Sequence, residues 1–198
     1  PCGGAGPPRV VRDYDIPDEL LCAKLSSARM ISPTDRKVDM PIENGYVGMV
    51  DRDMFDNFLR ERAGSAGATR VTGTFTALER DSEDRLIVVF REGDEERRIR
   101  ARIVIGADGA RANVARAEIE DGDKIPFVIA YHEIIEAPEP TATYDPARCD
   151  VVYDGKISPD FYGWVFPHGE QASVGMGSMV KIGRATWRER EKIEVVAG

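Results

Sequence analysis

The sequence predicts a mixed α/β fold with more strand than helix. Short apolar runs bounded by turn residues recur along the chain, which is typical of strands joined by hairpins. One segment after Asp51 instead repeats its apolar residues at helical spacing. A third segment, 103–105 (Ile-Val-Ile), is apolar throughout and is followed by glycine, which favours a strand buried on both faces of a parallel sheet. We therefore expect two layers, a buried strand-helix unit and a sheet built largely from hairpins.

Short strands separated by turn residues are predicted in the first fifty residues. Residues 1–8 are rich in Gly and Pro, so we expect neither helix nor strand there. Residues 28–31 and 37–40 are typical of strands, and the turn residues at 32–35 between them predict a hairpin. The apolar run 46–50 predicts one more strand.

The clearest predicted helix lies in the middle of the chain. Asp51 or Asp53 can accept backbone N–H bonds as an N-cap, and the glycines within 64–67 end the helix. Further strands are predicted over 69–72, 74–78, 86–90 and 97–100, and the last two form a hairpin with its turn at Gly93 and Asp94.

A glycine-rich turn follows the run 103–105. Residues 106–109 (Gly-Ala-Asp-Gly) precede an Ala-rich segment, 110–117, that we expect to be helical. The turn either brings backbone N–H groups to a phosphate at a helix N-terminus, or is a tight connection with Asp108 as N-cap. The spacing leaves both interpretations open. The remaining predictions are strands over 127–135, 151–153, 162–166 and 172–176 and a helix over 184–193.

Charge and cysteine content exclude several classes of function. The 198 residues carry a formal net charge of −8 with dispersed basic residues, so no nucleic-acid partner is expected. Cys2, Cys22 and Cys149 are too widely spaced for a disulfide framework or a CxxC site, and no metal is expected. Such cysteines favour a reducing, cytoplasmic location. The chain does not begin with Met, so we expect a fragment of a longer protein.

An aromatic segment at 159–167 (Pro-Asp-Phe-Tyr-Gly-Trp-Val-Phe-Pro) is the most unusual feature of the second half. In an extended strand, Tyr162, Trp164 and Phe166 face the same side. Such a stripe either lines an apolar ligand groove or packs into the core. The segment 175–177 (Gly-Met-Gly) either leaves room for a ligand or marks a bulge.

Cys2 and Arg52 each have two interpretations. Cys2 precedes Gly3 and Gly4, and it is either a reactive thiolate or an incidental loop cysteine. Arg52 stands at the start of the predicted helix, where it is either solvated or reaches an anion. The two histidines are far apart in sequence, and we expect each to be structural.

Several of these segments resemble a known family. The pattern PxxYxWxFP at 159–167 is similar to that of geranylgeranyl reductases. Similarity extends over residues 1–178, and its other segments are 1–5 (PCGGA), 45–52 (GYVGMVDR), 55–60 (FDNFLR), 106–109 (GADG) and 144–178, the last resembling the bacteriochlorophyll branch most.

The resemblance implies a p-hydroxybenzoate-hydroxylase-like flavoprotein. The expected architecture is a partial FAD-binding Rossmann-like layer plus a largely antiparallel substrate sheet. Residues 1–45 would lead into the substrate sheet and 46–123 would be part of the FAD-binding domain with an inserted hairpin. Residues 124–180 would form the substrate-binding sheet, and 181–198 a tail of unknown role.

The resemblance also implies a chemistry. Such enzymes bind FAD, take hydride from NADPH and reduce a geranylgeranyl group towards phytyl, on the pigment or as the diphosphate, with peripheral membrane contact. The implied roles are catalytic for Cys2, cofactor-binding for Gly3, Gly4, Arg52, Gly106, Asp108 and Gly109, and substrate-binding for Pro159, Tyr162, Trp164, Phe166 and Pro167.

The sequence departs from the family pattern in places. The N-terminal GxGxxG unit and the C-terminal Gly-Asp flavin motif are not in this chain, and Ala112 and Ala115 replace the usual Ser and Arg of the second flavin motif. Two alternatives remain. A flavin monooxygenase of the same fold would consume oxygen with product, and a prenyl-lipid or pigment-binding module would bind no FAD.

Overall fold

The computed structural model describes residues 3–109 and 113–179 and has the predicted mixed α/β architecture. Its contacts divide the chain into two units, one of residues 1–61 with 128–198 and one of residues 62–127. The domain boundaries expected from the sequence remain a prediction. No helix among the described residues is long and apolar enough to cross a membrane.

Twelve strands and three α-helices form the described parts of the chain. The strands are β1 (Ala5–Gly6), β2 (Leu21–Leu25), β3 (Ser27–Ile31), β4 (Lys37–Pro41), β5 (Val47–Val50), β6 (Thr74–Arg80), β7 (Leu86–Glu92), β8 (Glu95–Ala101), β9 (Ile129–Glu136), β10 (Arg148–Val152), β11 (Gly163–His168) and β12 (Gln171–Ser178). The helices are α1 (Pro8–Asp13), α2 (Arg52–Ser65) and α3 (Asn113–Glu118), and a 3-10 turn covers Asp18–Leu20.

A six-stranded sheet dominates the first unit, in the order β4-β3-β10-β11-β12-β9. The predicted hairpin of β3 and β4 is confirmed, and so are the strands β10, β11 and β12. Neighbouring strands are antiparallel except β3 and β10, which run parallel. A connection of more than a hundred residues separates that pair, so local turn signals could not have predicted it.

A smaller sheet, in the order β1-β5-β2, completes the first unit. Its fully buried Leu25 and Met49 form a core with Cys149 of the large sheet, and Phe166 packs against that core. Burial raises the pKa of the Cys149 thiol to about 12. The apolar contacts between the two sheets thus stabilise the end of β11 that carries Phe166.

The prediction that residues 1–8 contain no regular structure is wrong. Ala5 and Gly6 form β1 against β5, and α1 begins at Pro8. Proline suits the first turn of a helix because an N–H there has no intrahelical acceptor. Gly6 pairs with Gly48, so two strands approach without side chains between them. Glycine and proline, which usually interrupt regular structure, are here part of a strand and of the first turn of a helix.

The opposite face of the large sheet carries a buried ion pair. Arg148 donates from Nε and Nη2 to the two carboxylate oxygens of Asp150, at 2.6 and 3.1 Å, and Nη2 also donates to the Thr143 carbonyl. The hydrogen bond to Asp150 holds the pKa of the Arg148 guanidinium above its usual value. On neighbouring strands, Arg29 and Asp39 form a second bidentate pair.

The second unit is a three-stranded antiparallel sheet, in the order β6-β7-β8, with α3 packed near β6. The predicted hairpin of β7 and β8 is confirmed, with its turn at Gly93 and Asp94. The strand expected over 69–72 is wrong, since the chain becomes a strand only at Thr74. Residues 69–72 are exposed and so lack the burial that a half-apolar strand needs.

The buried strand predicted over 103–105 is also wrong. Ile103 and Ile105 are 79% and 83% exposed, and neither belongs to a strand. A strand needs neighbours for its backbone N–H and C=O groups. The described residues, 3–109 and 113–179, provide no neighbouring strand for residues 103–105. The apolar composition of this run favours burial, but the described residues do not bury it.

The predicted helices are confirmed in part. Helix α2 begins at Arg52, and Asp51 Oδ1 accepts the backbone N–H of Asp53 at 3.0 Å, as an N-cap does. Helix α3 covers the second half of the expected helix 110–117, whose first three residues lie outside the described residues. The helix expected over 184–193 also lies outside them.

Candidate functional site

The predicted aromatic stripe lies on one side of the six-stranded sheet. Trp164 and Phe166 belong to β11 and Tyr162 precedes it. The ring centroids of Tyr162 and Trp164 are 6.2 Å apart, and those of Trp164 and Phe166 are 6.1 Å apart. The period-two spacing therefore predicted the geometry correctly. We call this side of the sheet, which Tyr162, Trp164 and Phe166 share, the aromatic face.

Mostly small or apolar side chains surround the stripe on the aromatic face. The strand register pairs Trp164 with Val151 of β10 and Gly175 of β12. Continuing across β3, β4 and β9, the same register adds Ala28, Met30, Val38, Met40, His132 and Ile134. Such a surface offers apolar area and few hydrogen-bonding groups.

The two glycines of the segment 175–177 make room for the aromatic rings. A Cβ atom at Gly175 would lie 2.4 Å from the Trp164 indole, and one at Gly177 would lie 2.5 Å from the Phe161 ring. Strand β12 pairs in unbroken register from Gln171 to Ser178, so the bulge considered from the sequence is absent from this strand. The missing side chains thus let the rings lie directly on β12.

The Trp164 indole is held by a buried hydroxyl. Its Nε1–H donates to Ser173 Oγ at 3.3 Å, and Ser173 Oγ lies 3.1 Å from His132 Nδ1. Ser173 is 0% exposed and Trp164 is 9% exposed. Ser173 could not be recognised from the sequence, because its partner Trp164 lies on a different strand and only the strand register brings the two together.

Gly3 and Gly4 lie at the Phe166 end of the aromatic face. A Cβ atom at Gly3 would come within 2.9 Å of the Phe166 ring. Gly4 has a φ of +72°, and a Cβ there would lie 2.4 Å from the Val50 carbonyl oxygen. Gly4 therefore requires glycine, whereas a side chain at Gly3 would have to displace the Phe166 ring. Cys2, the predicted catalytic residue, lies outside the described residues.

His168 continues the stripe by two residues. Its Nδ1–H donates to the Phe166 carbonyl at 2.9 Å, and Nε2 would lie 3.1 Å from a Cβ atom at Gly4. The period-two count that connects Tyr162, Trp164 and Phe166 also reaches residue 168. The spacing could therefore have placed this histidine on the aromatic face.

The two prolines of the motif bracket the stripe. Pro159 is exposed in the turn before β11. Pro167 is fully buried on the opposite face of the sheet, since it alternates with Phe166 and His168 along β11. Their substrate-binding roles remain predictions, and the structure brings neither ring onto the aromatic face.

Arg52 is paired within its own helix. Its Nε and Nη2 donate to the carboxylate of Asp56 at 2.7 and 2.9 Å. These bonds hold the pKa of Asp56 below its usual value. An anionic group that binds Arg52 has to share the guanidinium with this carboxylate. The cofactor-binding role of Arg52 remains a prediction.

The glycine-rich turn 106–109 lies in the second unit. Asp108 Oδ2 accepts the backbone N–H groups of Asn113 and Val114 at 2.6 and 3.3 Å, so Asp108 caps α3. Gly109 has a φ of +79°, and no described atom lies within 4 Å of where its Cβ would stand. A carboxylate has further acceptor positions, and the backbone of Gly109 is open. The turn therefore has the capping role, and the cofactor-binding roles of Gly106, Asp108 and Gly109 remain predictions.

Comparisons with known proteins identify the family of this chain. The FAD binding domain family matches residues 20–129, more than half of the chain. A geranylgeranyl diphosphate reductase of Rhodobacter capsulatus is 64% identical over 180 residues, which cover 90% of this chain and 45% of that protein. A digeranylgeranylglycerophospholipid reductase of Methanosarcina acetivorans is 35% identical over 84% of this chain and 42% of its own length. The chain spans less than half the length of both relatives.

Solved structures share the same architecture. A geranylgeranyl bacteriochlorophyll reductase-like protein from Thermoplasma acidophilum has a TM-score of 0.74 at 25% identity, over 90% of this chain and 47% of its own. A flavin-dependent brominase, at 16% identity, has a TM-score of 0.71 over 90% of this chain and 46% of its own, and it shows the fold alone. The sequence match and the fold lead to one conclusion: this chain belongs to the FAD binding domain family.

Proposed function

We propose that this chain is part of an FAD-dependent reductase that converts a geranylgeranyl group towards phytyl, with NADPH as the source of hydride. The observation that carries the proposal is the aromatic face with Gly3 and Gly4 at its end, both within one unit. The relatives named as geranylgeranyl reductases support the same substrate class.

The aromatic face suits a prenyl chain for a physical reason. A geranylgeranyl group is a hydrocarbon with isolated alkenes, so its binding depends on buried apolar area, at roughly 25 cal/mol per Å². Three rings about 6 Å apart, inclined to each other by 67° and 33°, offer adjoining apolar surfaces of suitable chemistry. The polar atoms near the centre of the aromatic face are hydrogen-bonded to one another, as in the bond from Trp164 to Ser173.

The reaction needs a hydride on one alkene carbon and a proton on its neighbour. FAD, once bound and reduced by hydride from NADPH, would pass that hydride to the alkene. Gly3 and Gly4 let the backbone pass close to the Phe166 ring and the Val50 carbonyl oxygen at this end of the aromatic face. We propose Cys2 as the catalytic residue because it directly precedes these glycines in the chain. The apolar side chains around the stripe would exclude water from the reacting carbons.

The substitution Trp164→Ala in the intact protein tests the proposal. Loss of the indole removes about 2 kcal/mol of apolar contact, so we expect KM for geranylgeranyl diphosphate to rise about thirtyfold. FAD content, read from the visible absorbance after desalting, is expected to stay unchanged. Tyr131→Ala is the matched control, since Tyr131 lies on the opposite face of the same sheet. Equal loss of prenyl turnover and FAD would contradict the proposal.

The same preparation distinguishes the alternatives. Oxygen consumed in proportion to product would indicate a monooxygenase. Prenyl binding without retained FAD would indicate a binding module. The bacteriochlorophyll branch and a cytoplasmic location at the membrane surface are further proposals. The resemblance of residues 144–178 supports the first, and the hydrophobic substrate supports the second.

A further inference from the structure

We propose that Ser173 is a positioning residue that fixes the orientation of Trp164 on the aromatic face. This inference rests on the proposed function, because it assigns Trp164 to contact with the prenyl chain. Ser173 itself is fully buried, so it acts through the indole rather than by touching substrate. Its expected influence is on where the hydrocarbon lies, and hence on KM.

The hydrogen bond between Trp164 and Ser173 fixes the orientation of the indole. The indole N–H is a donor with no alternative role, and a buried donor without an acceptor is unfavourable. Trp164 Nε1–H finds its acceptor in Ser173 Oγ at 3.3 Å. A rotation of the indole about its side-chain bonds would break this contact. The hydroxyl therefore selects one orientation of the ring.

The proton of the Ser173 hydroxyl also has an acceptor. Ser173 has one proton to donate, and its oxygen already accepts from the indole. Among the described residues, the other hydrogen-bond contact of this hydroxyl is His132 Nδ1, at 3.1 Å. The arrangement that uses every group runs from Trp164 N–H to the Ser173 oxygen, and from Ser173 O–H to Nδ1. His132 then carries its own proton on Nε2.

The absence of a side chain at Gly175 gives the indole its space. Gly175 stands opposite both Trp164 and His132 in the strand register. A Cβ atom there would lie 2.4 Å from the indole and 2.6 Å from the His132 Cβ. The ring thus lies over a position without a side chain, and the hydroxyl two residues before it along β12 holds the ring in place. The gap above Gly175 and the hydrogen bond to Ser173 together determine which face of the indole is presented.

The experiment uses the intact protein with ¹⁵N-labelled tryptophan. The Trp164 indole resonance is identified by its loss in Trp164→Phe. In Ser173→Ala we expect this resonance to move upfield and its N–H to exchange faster with solvent. KM for geranylgeranyl diphosphate should rise about fivefold, the effect of losing one ordinary hydrogen bond, with kcat within about twofold. A purely structural role would lower the folded fraction without this split.

Ser158→Ala is the matched control, since it removes another buried serine hydroxyl, one that donates to the Gly177 carbonyl. It should leave the Trp164 resonance unchanged. A wild-type indole N–H that exchanges like a free one overturns the proposal even if Ser173→Ala does not fold. An unchanged KM in a folded Ser173→Ala also overturns it. If Trp164→Ala leaves prenyl turnover intact, the proposed function itself is wrong. If Trp164→Ala impairs turnover but Ser173→Ala leaves KM unchanged, only the positioning role of Ser173 is wrong.

Discussion

The aromatic face of the first unit and the glycine-rich turn of the second make an instructive pair. The rings of the aromatic face find their partners inside the unit, in Gly175, Ser173 and the core beneath Phe166. Beside the turn 106–109, the apolar run 103–105 stays exposed. The aromatic rings are packed against neighbouring residues of their unit, whereas the apolar run 103–105 has no neighbouring strand among the described residues.

The ion pairs of the two units also differ, since one pair is buried in the first unit and another is exposed in the second. Removing the buried pair is expected to have the largest effect on stability. Asp150→Ala leaves Arg148 buried without its main partner, and we expect a loss of about 3 to 5 kcal/mol in the free energy of unfolding. Glu96→Ala removes an exposed partner of Arg98 in the second unit and should cost less than about 1 kcal/mol. Urea unfolding of both variants measures the difference, and equal losses would contradict the contrast.

A glycine comparison sharpens the contrast at the site itself. In Gly175→Ala the new methyl group meets the indole and the Tyr131 carbonyl at 2.4 and 2.6 Å, so we expect a loss of about 3 kcal/mol. In Gly64→Ala nothing described lies within 4 Å, and a helix position favours Ala by about 0.5 to 1 kcal/mol. Thermal unfolding is the measurement. A Gly175→Ala variant as stable as the parent would mean that the rings do not lie against β12.

Local patterns predicted much of the fold. Turn residues and alternation identified the hairpin of β7 and β8, and helical spacing with an aspartate cap identified α2. The period-two spacing placed Tyr162, Trp164 and Phe166 on one face. Each of these features depends on residues close together in the chain, so a single sequence is enough to find it.

Features that depend on distant partners could not be predicted in this way. The pairing of β3 with β10 and the bond from Trp164 to Ser173 both require the strand register. The prediction of a buried strand over 103–105 was wrong because apolar composition indicates a tendency to be buried but does not show whether neighbouring strands are present. The prediction of no regular structure over 1–8 was wrong because Gly6 pairs with a distant strand and Pro8 begins a helix.

The central claim is that the aromatic face binds the prenyl chain, and photolabelling tests it most directly. The intact protein would be irradiated with a diazirine-bearing analogue of geranylgeranyl diphosphate, and the labelled peptides would be mapped by mass spectrometry. The account predicts labelling within 162–168, suppressed by excess geranylgeranyl diphosphate. Competed labelling confined to residues of the opposite face, such as Tyr131, would contradict it.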